Sequence, residues 1–424
     1  MRVARLARFL RDWLWEHSLT VRTPLRAVRR QASLALYRWR FPRTPLPPRV
    51  AGMKGPVAGR TALKRCSTRT AAPRKGNGDG PRLPPASRSG RGSTATSLLS
   101  SRPMRTPEIS VVIPSYNHGR FITEAVTSVL ASPMDDLELV VVDDGSTDDT
   151  LERLEAFHDD PRVRVFPQAN QGAHAAFNRG LTLVRGDIVF LLNSDDAFEP
   201  ERIPRCLGRF RANPRLALVS SWIRVVDEEG KTLGVKEGFR NMPPWPPPTA
   251  GPYLSDTGEL PLALLEANFV ATTSNAAFPR RLLADPALTF RPLRYAHDWD
   301  FLLSLCAHGD FELLEEPLVR YRIHGSNTIQ EGSDQARGQG LMRFEALWVV
   351  ARHALPACAR YRERGHDVAE LEWRAMQSLP RFGRLDILER LLELRGRDPQ
   401  PPPAYDALIS PDHPFRRAAV DALG

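Results

Sequence analysis

Between Ile109 and Asp196 the chain repeats one pattern: a short apolar run, a polar cluster at its end, then apolar residues at helical spacing. Ile109-Ser110-Val111-Val112-Ile113 is closed by Pro114-Ser115-Tyr116-Asn117-His118-Gly119, and Phe121, Ala125, Val126, Val129 and Leu130 then recur with a helical period. Leu137 to Val142 runs into Asp143-Asp144-Gly145-Ser146-Thr147-Asp148-Asp149, followed by a helix carrying Leu151, Leu154 and Phe157. Val163 to Phe166 is a third short strand, Ala173 to Val184 a third helix, and Ile188 to Leu192 a fourth strand ending in Asn193-Ser194-Asp195-Asp196. Strands alternating with helices predict an α/β fold with a mostly parallel sheet covered by helices on both faces. In such a sheet the polar clusters share the carboxyl edge, where ligands collect.

Two adjacent carboxylates at the end of a buried strand suit a divalent cation. Asp-Asp is equally the composition of a solvated turn or helix cap, so the pair alone leaves both readings open.

The motifs Ile113-Pro114-Ser115-Tyr116-Asn117, Val142 to Asp148, Asn170-Gln171-Gly172 with Asn178, and Gly186-Asp187 leading to Asn193-Ser194-Asp195-Asp196 occur in a fixed order over about 90 residues. In that order and spacing the chain resembles the family 2 glycosyltransferases, less densely as far as about residue 330. The resemblance implies a GT-A domain, Rossmann-like, that moves a sugar from a nucleoside diphosphate donor with inversion. By the same resemblance Pro114 and Tyr116 lie against the nucleoside base and Asp144 accepts a hydrogen bond from it. Asp195 faces the ribose or donor sugar, and Asp196 binds Mn²⁺ or Mg²⁺. UDP is the nucleotide implied first, with GDP and dTDP as alternatives.

Inversion also needs a base within reach of the acceptor hydroxyl. Asp298, in His297-Asp298-Trp299-Asp300, matches the family's acidic motif at a helix start, whereas Asp300 is expected to be structural. A first-turn acid is also favoured by the helix dipole alone. Arg320-Tyr321-Arg322-Ile323-His324-Gly325 resembles the segment that folds over the diphosphate. It implies Arg322 on phosphate and His324 on the metal or the diphosphate; a strand ending in a surface His-Gly turn explains the same residues without chemistry.

Three positions depart from the family pattern. Asn193 stands for an acid at the head of the metal motif, Phe177 for a basic residue before Asn178, and His297 for a Glu before the base. Asn268 to Phe278 resembles the acceptor-side strand. Met242-Pro243-Pro244-Trp245-Pro246-Pro247-Pro248 predicts an extended loop whose Trp245 either stacks on a sugar or anchors to the core.

Two other classes fit less of the sequence. A sugar nucleotidyltransferase would need a Gly-rich, basic phosphate loop after the first strand, where Pro114-Ser115-Tyr116-Asn117 stands instead. A non-catalytic nucleotide-sugar-binding or scaffold relative would keep Asp144 and Asp196 but have no competent base, so Asp298 separates it from an enzyme.

The net charge of +10 is unevenly placed: residues 1–106 hold 24 Lys and Arg against 3 Asp and Glu. Residues 1–40 interleave Val3, Leu6, Phe9, Leu10, Trp13 and Leu14 with Arg2, Arg5, Arg8 and Arg11, a basic amphipathic pattern that suits either a peripheral position on an anionic membrane or a helix docked on the catalytic domain or a partner. Asp12 and Glu16 interrupt the apolar run, which makes it neither a spanning helix nor a signal peptide. Residues 41–106, rich in Pro, Gly, Ser and Arg, read as a disordered tether. No zinc-finger spacing or RNA-binding motif accompanies the basic arm, so nucleic acid is not an expected partner. Cys66, Cys206, Cys306 and Cys358 are widely spaced, which fits a reducing compartment and no structural zinc site and leaves one distant disulfide open; the expected location is cytoplasmic, peripheral on the inner face of the membrane. Residues 107–330 are expected to form the GT-A domain. After them, Leu341, Phe344, Leu347 and Trp348, then Leu371 to Leu379 and Ile387 to Leu394, predict a helical C-terminal extension over 331–424 that covers the acceptor site or mediates self-association. The acceptor, a glycan, a lipid-linked glycan or a protein, is not written in these motifs.

Overall fold

In the computed structural model, residues 106–238, 258–325, 327, 336–365, 384–396, 398 and 400–424 are described. The basic arm, the tether, the Trp245 loop and the predicted helix at 371–379 lie outside them.

The first strand, β1 (Ile109–Ser115), is buried at all seven positions, as is β2 (Leu137–Asp143). That is why both read as near-continuous apolar runs rather than alternating ones: each is covered on two faces. Helix α1 (Gly119–Leu130) follows β1 and buries Phe121, Ile122, Ala125, Val126 and Val129 along one stripe. After β2 come α2 (Thr150–Glu155), β3 (Val163–Pro167), α3 (Ala173–Leu183) and β4 (Ile188–Leu191). The strands β3, β2, β1 and β4 are neighbours in that order and mutually parallel, with Ser115 opposite Asp143 and Val112 opposite Leu191. Their carboxyl ends, and the polar clusters that follow them, therefore stand level at one edge.

Beyond β4 the sheet changes character. It continues through β8 (Ala277–Pro279), β6 (Leu216–Val226), β9 (Asp310–Arg322) and β5 (Ala197–Phe198), with β7 (Thr232–Lys236) on β6. The pairs β4–β8, β8–β6, β6–β7 and β9–β5 are antiparallel, and β6–β9 is parallel. The sheet is thus parallel in its first half and mixed in its second. The expected α/β class, with flanking helices and C-terminal helices, is present.

The expected strand at Asn268 to Phe278 is mostly a turn and a 3₁₀ helix, with only Ala277–Pro279 extended. Asn268 accepts from the Ala271 N–H, Ala271 takes φ +72°, and Thr272 accepts from the Ser274 N–H. Side chains that bond their own backbone offer it an alternative to the ladder.

The remaining helices are α4 (Arg202–Ala212), α5 (Leu260–Glu266), α6 (His297–Cys306), α7 (Ala336–Glu363), α8 (Leu385–Arg395), α9 (Pro403–Asp406) and α10 (Pro414–Leu423). One apolar cluster joins Val112, Val189 and Phe278 of the sheet to Phe301, Phe344, Trp348, Leu391 and Val420. The boundary near residue 331 is therefore one of chain order: the C-terminal helices share the core. Among the described residues no helix is long and apolar enough to cross a membrane.

Gly186, where β4 begins, sits against the β1 backbone, and a Cβ there would fall 2.5 Å from the Ile109 carbonyl carbon. Its N–H donates to Ser110 Oγ, which itself donates to the buried Glu138. Gly186→Ala is expected to cost about 1–3 kcal/mol in urea unfolding, because backbone has to shift to admit the methyl group. Gly208→Ala, on an open face of α4 with nothing within 4 Å, should leave stability unchanged or raise it slightly. Equal stability of Gly186→Ala and wild type would mean that the entry to β4 is not constrained as described.

Candidate active site

The loops after β1 and β2 meet at the common edge and are bonded to each other. Asn117 donates its backbone N–H to Ser146 Oγ and accepts from the Thr147 N–H; the His118 N–H donates to Thr150 Oγ1, and the Gly119 N–H to Asp148 Oδ2. Asp143 accepts from both the N–H and the hydroxyl of Ser146. Gly145 lies in the left-handed region at φ +78°. Tyr116 stands 45% exposed on the lip, while Pro114 is buried within β1.

Asp144 is 2% exposed and accepts from Gln168 Nε2 at 2.7 Å and from the N–H groups of Gln171 and Gly172 at 2.9 and 2.7 Å. It therefore shapes the 168–172 wall. A carboxylate offers about four acceptor positions, so three bonds leave one for a ligand.

The loop after β4 separates its two acids. Asp195 Oδ2 lies 3.1 Å from His324 Nε2, and His118 Nδ1 lies 2.7 Å from Ser194 Oγ. His118, Asp195 and His324 each offer a ligand atom within 4.8 Å of the others, a group of the size that holds a metal ion. Asp196 is outside this group. Its carboxylate faces inward, accepting from Ser274 Oγ at 2.5 Å, Thr272 Oγ1 at 3.2 Å and the Arg322 N–H at 3.0 Å. Burial and the adjacent Asp195 charge push Asp196 up to about 8. Asp195, although burial opposes it, is held below the usual carboxylate range by the His324 hydrogen bond and the His118 and His324 charges. The two acids are thus shifted in opposite directions, Asp195 downward beside the histidines and Asp196 upward in a nest of hydroxyls.

Asn193 is part of that nest, with its Nδ2 3.0 Å from Thr272 Oγ1 and its Oδ1 accepting from Thr273 Oγ1. Phe177 is buried and stacks on Phe290 at 4.6 Å, and Asn178 bonds both the N–H and the carbonyl of Phe290. These two residues hold α3 to the 289–290 segment.

Arg322 is placed differently from the phosphate contact implied by sequence. Its Nε donates to the Asp195 carbonyl, Nη1 to the carbonyls of Asp227 and Glu228, and Nη2 pairs with Glu124. A guanidinium engaged at all three nitrogens braces the loop that presents Asp195.

Asp298 begins α6, 8% exposed, and accepts from Asn268 Nδ2 at 2.9 Å and from the Trp299 N–H at 2.7 Å. Burial raises its pKa, against the opposing His297 charge and these two bonds. Tyr321 joins this residue to the rest of the edge: burial first, then the charges of Asp196, Asp195 and Asp298, push its hydroxyl upward.

Asp300, two residues farther along the same turn, is fully buried. It pairs with Arg291 at 2.8 Å, His353 at 2.8 Å and Arg352 at 3.4 Å, and Asp406 shares both arginines. Burial alone would raise its pKa; the His353 hydrogen bond and the Arg291, His353 and Arg352 charges instead depress it strongly. Buried Glu345, on α7, accepts from the N–H groups of Arg294, Tyr295 and Ala296, immediately ahead of α6. These donors stand where a helix has unpaired N–H groups. Sequence reading passed over Glu345, Thr272, Ser274 and His118; only His118 carried a signal, its place in a polar cluster at the sheet edge.

Residues 110–284 match the family model described as glycosyl transferase family 2. An uncharacterised glycosyltransferase of Nostoc sp. is 31% identical over 225 residues, covering 52% of this chain and 66% of that protein. A chondroitin synthase of Escherichia coli is 32% identical over 225 residues, covering 53% of this chain and 30% of the synthase. Among solved structures, S. aureus TarS residues 1–349 with UDP-GlcNAc aligns with a TM-score of 0.45 at 18% identity, over 74% of this chain and 88% of that one. The chain therefore spans less than two thirds of the length of these curated relatives.

Removing the anion under α6 should be felt in stability with a defined pH signature. Asp300→Asn leaves buried cations short of a partner, which costs about 3–5 kcal/mol at neutral pH. The native carboxylate has its pKa lowered from 3.8, so its contribution is complete above that value and fades only as pH falls well below it. Denaturant unfolding from pH 7 to pH 3 checks this: the gap between variant and wild type is expected to stay constant down to about pH 4 and then narrow. A gap that widened on acidification would refute the assignment.

Proposed function

We propose that this chain, a transferase whose residues 110–284 are a glycosyltransferase family 2 domain, moves a sugar from a nucleoside diphosphate donor to an acceptor hydroxyl with inversion. The observation that carries the reading is the His118–Asp195–His324 group at the sheet edge, whose ligand atoms lie within 4.8 Å of one another.

Pro114 and Tyr116 would border the nucleoside base, with the remaining acceptor position of Asp144 taking a base N–H. UDP is the first expectation, GDP and dTDP the alternatives. His118, Asp195 and His324 would hold a divalent ion, with Asp196, bonded to Thr272, Ser274 and the Arg322 N–H, keeping the loop in place. Two imidazoles and one carboxylate suit Mn²⁺ better than Mg²⁺, which prefers an all-oxygen shell. An ion there would offset the negative charge that a leaving diphosphate gains.

Asp298 would take the proton from the acceptor. Its raised pKa suits the role, since a carboxylate that holds a proton more firmly is a stronger base toward an alcohol. Asn268 and the Trp299 N–H fix its orientation. Arg322 acts indirectly, by holding the Asp195 carbonyl. The acceptor is proposed to be a growing surface glycan or a lipid-linked or protein-linked relative of one, in line with the polysaccharide named in the chondroitin synthase. Residues 1–40 would keep the enzyme peripheral on the cytoplasmic face of the membrane.

Calorimetric binding of UDP, GDP and dTDP, each with and without Mn²⁺, tests the reading. One nucleotide is expected to bind in a Mn²⁺-dependent way, and Asp195→Ala or His324→Ala should weaken it by about tenfold or more. Asp298→Asn should bind that nucleotide as wild type does while transfer falls by about 10²–10⁴-fold. Binding indifferent to Mn²⁺ in every case, or undiminished transfer by Asp298→Asn, would sink the proposal.

A further inference from the structure

At the opposite end of β9 from His324, a cavity of about 570 Å³ opens between the start of that strand and α7. It is lined by Arg215, Arg281, Arg360 and Arg364, with His308 beside them and Asp310 as the sole lining carboxylate. Twelve strand steps separate Asp310 from Arg322, roughly 40 Å at the rise of an extended strand, so this cavity is remote from the sugar-transfer edge.

The arrangement of charge is unusual. Asp310 pairs with Arg215 at 3.3 Å, Arg360 at 3.4 Å and Arg364 at 2.5 Å. One anion is shared among three cations, and among the described residues Arg281 donates to the Pro214 carbonyl alone. Glu259, on Arg364, adds a second negative charge from outside the lining. Arg360 is further fixed by donating to the Cys306 carbonyl at the end of α6. A single carboxylate cannot saturate three guanidinium forks, each built to take two parallel oxygen contacts. The lining is therefore short of negative charge by more than one unit, which a dianion would supply better than a monocarboxylate. Ala307, Pro356 and Ala359 form the apolar part of the lining, and the volume exceeds that of a bare phosphate.

We infer that this cavity binds a phosphoryl or diphosphoryl group attached to a larger body, at a site separate from the donor edge. The four arginines receive its oxygens, and Asp310 acts as the internal competitor that holds the forks in place until the ligand arrives. The group belongs either to a soluble phosphate ester or to a lipid headgroup, and the recognising chemistry is the same for both.

The full chain is titrated calorimetrically with inorganic pyrophosphate, and sedimented with phosphatidylcholine vesicles with and without phosphatidic acid. Because the basic N-terminal arm also attracts anions, the readout is the difference between wild type and Arg360→Gln/Arg364→Gln, both confirmed as folded by circular dichroism. The double variant is expected to bind pyrophosphate about tenfold more weakly or worse, and Asp310→Asn, which removes the competitor, severalfold more tightly, with UDP binding unchanged in both. If the double variant also loses retention on phosphatidic acid vesicles, the source is a lipid headgroup; if retention is equal and only pyrophosphate binding falls, it is a soluble ester. Equal pyrophosphate affinity in wild type and double variant, or no pyrophosphate binding at all, overturns the inference. The UDP measurement separates this from the transferase proposal, which stands or falls on the other edge.

Discussion

Parallel strands paired in register end together, and the site at this sheet edge depends on that constraint. Ser115 opposite Asp143, and Val112 opposite Leu191, level the carboxyl ends of β1, β2 and β4, so three loops distant in sequence open onto one space. A slip of one residue along β2 would turn every buried side chain to the other face. The mixed second half brings β9 back so that His324, at its exit, reaches Asp195, and it hands the Arg322 N–H to Asp196. The parallel half supplies the floor of the site and the mixed half closes it.

The C-terminal helices are joined to this site by buried charge. Glu345 and Asp300 grip α6 from two sides: one accepts the N–H groups that precede it, the other fixes its first turn against Arg352 and His353. Burying ions is costly unless they are paired or hydrogen-bonded; Asp300 is paired with Arg291, Arg352 and His353, and Glu345 accepts three backbone N–H groups. Asp298, between these two anchors, consequently has little freedom of position.

The sequence made the strand and helix pattern legible because each element is covered on a predictable side: all-buried β1 and β2 read as apolar runs, and α1 as a single stripe. Asp300 was correctly set apart as structural. The division of labour between Asp195 and Asp196 was not readable, because adjacent residues in a loop point in directions set by partners 76 to 129 positions away, Thr272, Ser274 and His324. Arg322 has the composition of a phosphate ligand, and only the fold reveals that carbonyls and Glu124 occupy its fork. The 268–278 segment looked extended since small and β-branched residues favour strands, yet its Thr, Ser and Asn side chains bond locally and curl it.

The loops after β1 and β2 are stitched by Asn117, Ser146, Thr147 and Asp148, and Gly119 lies so close to Asp149 that a Cβ would come within 1.8 Å of its Oδ1. They form one structural unit. Grafting a single loop from a relative would break contacts on the loop left behind. Transplants therefore have to exchange residues 114–119 and 143–150 together, and chimaeras cut between them should misassemble even where each parent is stable.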